Sequence, residues 1–152
     1  MSEQEMVSAI AAHDFFHGVS EAHLKAIGPC VQSLAIPAGA FLGREGEMAN
    51  ALYLIQSGHV ALEVNTPDRG AVAIQTVGPG QIVGWSWFVP PYRWQFDAQA
   101  TEPVRVIVLD ARCVIGKCEQ DHELGYHFFK RLAEIIAGRL AATRLQLLDV
   151  YK

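Results

Sequence analysis

From residue 31 to about residue 110 the chain is a succession of short apolar or alternating stretches cut by turn-forming clusters, and this rhythm restricts the fold more than any other feature. The breaks fall at Pro37-Ala38-Gly39, Ser57-Gly58, Pro67-Asp68-Arg69-Gly70 and Gly78-Pro79-Gly80. Short segments at near-regular spacing read as strands of an antiparallel sandwich or jelly roll. His59-Val60-Ala61-Leu62-Glu63-Val64 shows the period of two: Val60, Leu62 and Val64 are expected to face the core, His59 and Glu63 the outside. Residues 71–77 and 104–109 are again strand-like.

The flanks follow a longer period. In residues 1–30, Met6, Val7 and Ile10 recur at helical spacing, and Ser20 is a suitable N-cap for a short helix over Glu21-Ala22-His23-Leu24-Lys25-Ala26-Ile27 that Gly28-Pro29 ends. After Gly116, Phe129, Leu132, Ile136, Leu140, Thr143, Leu147 and Val150 step by three and four residues, a seam of about three heptads. Helices are therefore expected over 117–152, although Gly125 and Gly138 each weaken a helix by about 1 kcal/mol relative to alanine. Two readings of the seam stay open: it packs on its own barrel, or its distal part, through Leu132, Ile136, Leu140, Thr143 and Leu147, pairs with a second copy. With 152 residues, 51% of them hydrophobic, the chain is sized for a single domain.

The balance of 12 basic and 16 acidic residues, a net charge of -4, has no run of Lys or Arg, which argues against a nucleic-acid partner. The acidic N-terminus MSEQEMVSAI is unlike a signal peptide, and no apolar run reaches membrane-spanning length, so a cytoplasmic location is expected. The three cysteines, Cys30, Cys113 and Cys118, show no zinc-site spacing and are read as reduced thiols, with Cys118, placed in a loop, the one to test for reactivity.

A further set of segments carries a resemblance: Phe16-His17-Gly18-Val19-Ser20-Glu21-Ala22-His23-Leu24, Ile36-Pro37-Ala38-Gly39, Arg44-Glu45-Gly46-Glu47, Leu52-Tyr53-Leu54-Ile55, Ser57-Gly58-His59-Val60 and Gly78-Pro79-Gly80. In this order they resemble the cyclic nucleotide-binding domain, shared by the catabolite-activator superfamily, kinase regulatory subunits and cyclic nucleotide-gated channels. The resemblance runs from about residue 14 to about residue 145. It implies a mainly β fold with flanking helices, an eight-stranded jelly roll followed by a long C-terminal helix, and cyclic AMP or cyclic GMP as regulatory ligand. It also implies a phosphate-binding cassette after the Gly-Pro-Gly turn. In that cassette Gly-Glu opens a short helix whose N-H groups hold the phosphate, the Glu accepts from the ribose, and a later Arg, followed by small residues, pairs the charge.

The cassette of this chain, GWSWFVPPYRW at residues 84–94, departs from that pattern. Gly84 occupies the glycine position, but Trp85 stands where the glutamate is expected. Arg93 lies at a suitable distance, yet Trp94-Gln95-Phe96 follows it instead of small residues, and counting back from Ala100 puts Trp94 at the arginine position. Two readings stay open. In one, Gly84, Trp85, Ser86, Trp87, Phe88, Tyr92, Arg93 and Trp94 form a repurposed site for a flat or apolar ligand, oriented by Arg93 and the N-H groups near Gly84. In the other the rings fill the ancestral cavity.

Rival chemistry is weaker. The six histidines include no His-x-His pair on an inward strand face, which speaks against a cupin-type metal enzyme. Ser86 is flanked by tryptophans with no evident base, and no Gly-Lys-Ser/Thr phosphate loop is present. No metal and no catalytic residue are expected. Superfamily transcription factors continue from the long helix into a helix-turn-helix, whereas this sequence stops at Lys152, so direct DNA binding is disfavoured. The expectation is a stand-alone sensor or regulatory domain, homodimeric through its C-terminal helix, with a protein partner allowed. The alternatives are a dimerisation module with a filled pocket, and a regulator of the same superfamily lacking its own DNA-binding domain.

Overall fold

The computed structural model describes residues 2–150; the side chain of Val150, counted in the seam above, lies outside the described residues. Two helices come first, α1 (Glu3–Ala11) and α2 (Glu21–Ile27), with 3-10 turns at Asp14–Phe16 and Gly28–Cys30. Ser20 caps α2 as its position suggests, its hydroxyl accepting from the His23 N-H at 3.2 Å. Eight strands follow: β1 (Val31–Ile36), β2 (Phe41–Gly43), β3 (Ala51–Ser57), β4 (Val60–Thr66), β5 (Gly70–Val77), β6 (Ile82–Val83), β7 (Asp97–Ala100) and β8 (Val104–Asp110). They form two antiparallel four-stranded sheets, in the orders β1-β8-β3-β6 and β2-β7-β4-β5. This is the expected jelly roll: strands distant in sequence are neighbours, and the buried core takes in both faces of β8, with Val106 on one side and Ile107, level with Leu54 and Ile82, on the other.

The alternation in β4 holds for Val60 and Leu62, both buried, while Val64 is half-buried. Val64 lies past the end of the pairing with β7, which stops at Glu63↔Asp97; on the other side, in β5, the register steps from Leu62↔Gln75 to Glu63↔Ala73, a bulge that leaves Ile74 unpaired and 43% exposed. The loop between β2 and β3 is fastened to β7 by the buried Asp97. Its carboxylate accepts from the Glu45 N-H (2.8 Å) and Asn65 Nδ2 (3.0 Å), with Arg44 Nη2 at 3.6 Å. The Glu45 N-H, helped by Asn65 and Arg44, holds the carboxyl below its ordinary range although burial opposes this. A depressed folded pKa stabilises above the unfolded carboxyl value and is lost as pH falls through the folded one. Asp97→Asn is therefore expected to cost about 2 kcal/mol at pH 7 and much less near pH 3. Urea unfolding at both pH values checks this, and an equal loss at the two would mean that the charge contributes nothing.

Beyond the barrel lie α3 (Ala111–Gln120) and α4 (His122–Val150), so the helical region starts earlier than the expected residue 117. Asp110 explains the difference: its side chain accepts from the Cys113 N-H at 3.0 Å, nucleating a helix that buries Ala111, Val114 and Cys118. The expectation for the cysteines is corrected here. Cys30 and Cys113 form a disulfide with Cα atoms 5.4 Å apart, tying the start of β1 to the first turn of α3. Cys118 sits in α3 and not in a loop; burial, with Asp121 adding, pushes its thiol up to about 11, which makes it a poor nucleophile.

Helix α4 runs unbroken through Gly125 and Gly138. Its inward stripe begins with the buried Leu124, Phe128 and Leu132 and continues through Ile135. Leu132, expected on a seam with a second copy, is thus spent on the chain's own barrel. Beyond it Ile136 is half-buried, and Leu140 and Leu147 are 49% and 55% exposed.

Candidate functional site

The segment after β6 turns at Gly84, where φ is +89°, a conformation that side-chain-bearing residues rarely adopt. Trp85 follows half-buried, and Ser86–Phe88 forms a 3-10 turn. This turn docks on α4 through rings: Phe88 lies 5.6 Å from Phe129, and Trp87 lies 6.3 Å from both Phe128 and Phe129. The tilted and edge-on geometries are those aromatic pairs prefer. Trp87 is buried to 4% exposure, and its indole N-H finds no partner among the described residues.

The chain then leaves the barrel at Val89, Pro90 and Pro91, all exposed, and returns as an extended segment along the β2–β3 loop. Tyr92, at φ +62°, is 45% exposed and its carbonyl accepts from the Ala49 N-H. Arg93 and Trp94 then point to opposite sides, as adjacent residues of an extended segment must. Arg93 is on the outside, its Nη1 donating to the Gly46 carbonyl at 3.0 Å. Trp94 is inside, 5% exposed, with its ring 6.2 Å from Tyr53 and 6.0 Å from Phe96. The indole lies so close over two glycines that a Cβ on Gly43 would come within 2.0 Å of it and one on Gly84 within 3.1 Å. The residue that counting back from Ala100 places at the arginine position is therefore an inward indole.

Of the residues singled out in the sequence, Trp85, Trp87 and Phe88 meet α4, while Trp94 lies against Gly43, Gly84 and Tyr53; Ser86 is half-buried between Trp85 and Trp87. Tyr92 and Arg93 lie on the outer side of the same loop. One residue of the site had escaped notice. Arg139, on the inward side of α4, donates from Nη2 to the Ile82 carbonyl, and its Cζ stands 4.6 Å above the Trp85 ring. Its spacing from Leu132 and Ile135 marks that inward position in the sequence. Burial lowers its pKa to about 10, which leaves it charged near neutrality.

Elsewhere, His59 Nδ1 meets Glu102 Oε2 at 2.7 Å on the surface, and no group of three His, Cys, Asp or Glu among the described residues could hold a metal ion. No described helix is long and apolar enough to cross a membrane.

A roll whose β6 leads through a positive-φ glycine into a short turn, closed by a C-terminal helix, defines a jelly-roll domain with a cassette-like insertion. The chain belongs to the cyclic nucleotide-binding domain family, which residues 33–121 match. Among curated proteins it is similar to a CRP-like cAMP-activated global transcriptional regulator of Mycobacterium tuberculosis, 27% identical over 146 residues that make up 95% of this chain. The chain spans 63% of that relative's length. Among solved structures it resembles a cyclic nucleotide-binding domain from Methylobacillus flagellatus, with TM-score 0.81 and 22% identity over 97% of this chain and 83% of that one. It also resembles the catabolite activator protein of Thermus thermophilus, with TM-score 0.73 and 22% identity over 91% of this chain and 63% of that one. At these identities the structural likenesses speak for the fold.

Proposed function

We propose that this chain is a regulatory domain, and not an enzyme, in which a small molecule reaching the cassette shifts the set of α4. The observation that carries this reading is Arg139, which joins Trp85 and the Ile82 carbonyl of the cassette to the middle of the helix. A ligand that disturbs Trp85 must disturb α4, and it shifts the helix only to the extent that it binds one arrangement better than the other. Trp85 and Ser86 border the ligand in this reading, Gly84 offers its turn, Trp87, Phe88 and Trp94 form the wall, and Tyr92 with Arg93 closes the outer side. The ligand is a cyclic nucleotide or another flat anionic compound; the kinship to cAMP-activated regulators supports the former, and Trp85 in the glutamate position the latter. The distal part of α4, which exposes Leu140, Leu145, Leu147 and Leu148, is the output and pairs with a second copy or a protein partner. A cytoplasmic place goes with regulators of this kind.

A second reading has its own observation. The Trp94 ring fills the space over Gly43 and Gly84, which suits a domain that binds nothing inside the barrel and acts only through α4. A thermal-unfolding panel with cyclic AMP, cyclic GMP and aromatic carboxylates separates the two. The sensor reading expects a saturable upward shift for at least one compound, worth about 2.7 kcal/mol at a hundred times its dissociation constant. An unmoved transition throughout would leave the filled barrel.

A further inference from the structure

Arg139 carries a feature that packing does not explain. Its Nη1 is buried and has no hydrogen-bond partner among the described residues, and no described carboxylate lies within ion-pair distance of its guanidinium. A buried cation held only by a neutral carbonyl and an indole face is costly, and a hydrophobic residue of similar shape would serve the core better. Beside it, a cleft of about 320 Å³ opens between α4 and the β5–β6 turn, bordered by Gln75, Gln81, Ile82, Arg131, Gly138 and Arg139. Arg131, half-buried, is the second cation there; it is engaged only loosely, with Glu134 at 3.7 Å and the Asp14 carbonyl at 3.4 Å. Arg93, by contrast, is turned outward to Gly46.

We propose that this cleft binds the oxyanion of a small organic ligand, a phosphate ester or a carboxylate, with Arg139 as the charge-pairing group. The guanidinium exchanges the Ile82 carbonyl for the anion and offers its planar fork of donors, Arg131 adds a second positive charge, and the glutamines supply neutral polar contacts. Trp85 holds the guanidinium from its other face. Because the pairing arginine rides on α4, occupancy acts directly on the helix. The inference rests on the sensor reading above and sharpens it by moving the anion from the cassette loop to the helix.

The test is a titration of the full chain, read by tryptophan fluorescence and thermal unfolding, with adenosine 5'-monophosphate, cyclic AMP, benzoate and neutral adenosine. The wild-type chain is expected to bind at least one of the anions, the phosphate esters and benzoate distinguishing the two oxyanion sources, and to bind adenosine at least about tenfold more weakly. Arg139→Met is expected to lower anion affinity by about 10- to 100-fold, the loss typical of a charged hydrogen bond. Arg139→Lys, which keeps the charge and not the fork, should fall between, and it decides the matter if the Met variant does not fold. Arg112→Ala, on the exposed face of α3, should stay within about twofold of wild type, as a distant surface charge does. Anion binding that is unchanged in both Arg139 variants overturns the inference and leaves the sensor reading standing. A ligand that binds equally well with and without its charge does the same, while a wild-type chain that binds none of the four overturns the inference, and with a flat thermal panel the sensor reading falls too.

Discussion

Separating Cys30 from Cys113 is expected to lower the unfolding free energy by about 4.5 kcal/mol, among the largest losses available to this chain. The cross-link spans 83 residues, and in the chain-entropy account a closed loop of that length removes freedom from the unfolded ensemble worth about that much. The loss would fall where the molecule has most to coordinate, since Cys30 ends the helical N-terminal segment and Cys113 lies in the turn that launches α3 and, through it, α4. Urea unfolding of the oxidised chain against the Cys30→Ala/Cys113→Ala variant measures it, and a thiol count on the denatured, unreduced chain gives the state of the pair. One free thiol, Cys118, is expected; three would show that the two cysteines do not join. Disulfides persist mainly where the surroundings are oxidising. In a reducing cytoplasm the same bond would open, and the stability of the α3–α4 support would follow the redox state.

How much of this was legible in the sequence follows from the range of each signal. Turn clusters and period-two stretches are local, so the roll, the Ser20 cap and the long helix could be read directly. The bulge at Ile74, and the end of the β4–β7 pairing before Val64, depend on the partner strands and have no local mark. The disulfide joins cysteines too far apart to look like a pair, and an odd count of three turns attention to the thiol left over rather than the two that close. In α4 the inward and outward stripes lie close together. Stepping from Leu132 to Ile136 and Leu140 follows the outward one, whereas stepping to Ile135 and then Arg139 follows the inward one, where an arginine is easily passed over in a search for apolar residues. The departure of the cassette from its family pattern was visible at Trp85. Which of Arg93 and Trp94 turns inward required the pairing of this segment with the β2–β3 loop.

Trp94→Ala is expected to cost about 4 kcal/mol, as large-to-small changes at buried aromatic positions do. The indole is 5% exposed and pressed against Gly43 and Gly84, so neither neighbour has a side chain that could move into the gap. Tyr53, on β3, and Phe96, next to the start of β7, face the indole, so the space left would be bordered by rings that the strands hold in place. Such cavities stay dry and accept small aromatic molecules, so indole added to the variant should recover part of the loss, while the wild-type chain should not respond. Guanidinium unfolding of both chains with and without indole measures each quantity. A loss below about 1 kcal/mol would mean that the ring does not fill the core. The same variant also bears on function: if cyclic AMP stabilises Trp94→Ala and not the wild-type chain, the barrel interior is a ligand site that this tryptophan has closed. An anion response of the native domain, if the Arg139 titration finds one, would then come from outside the barrel.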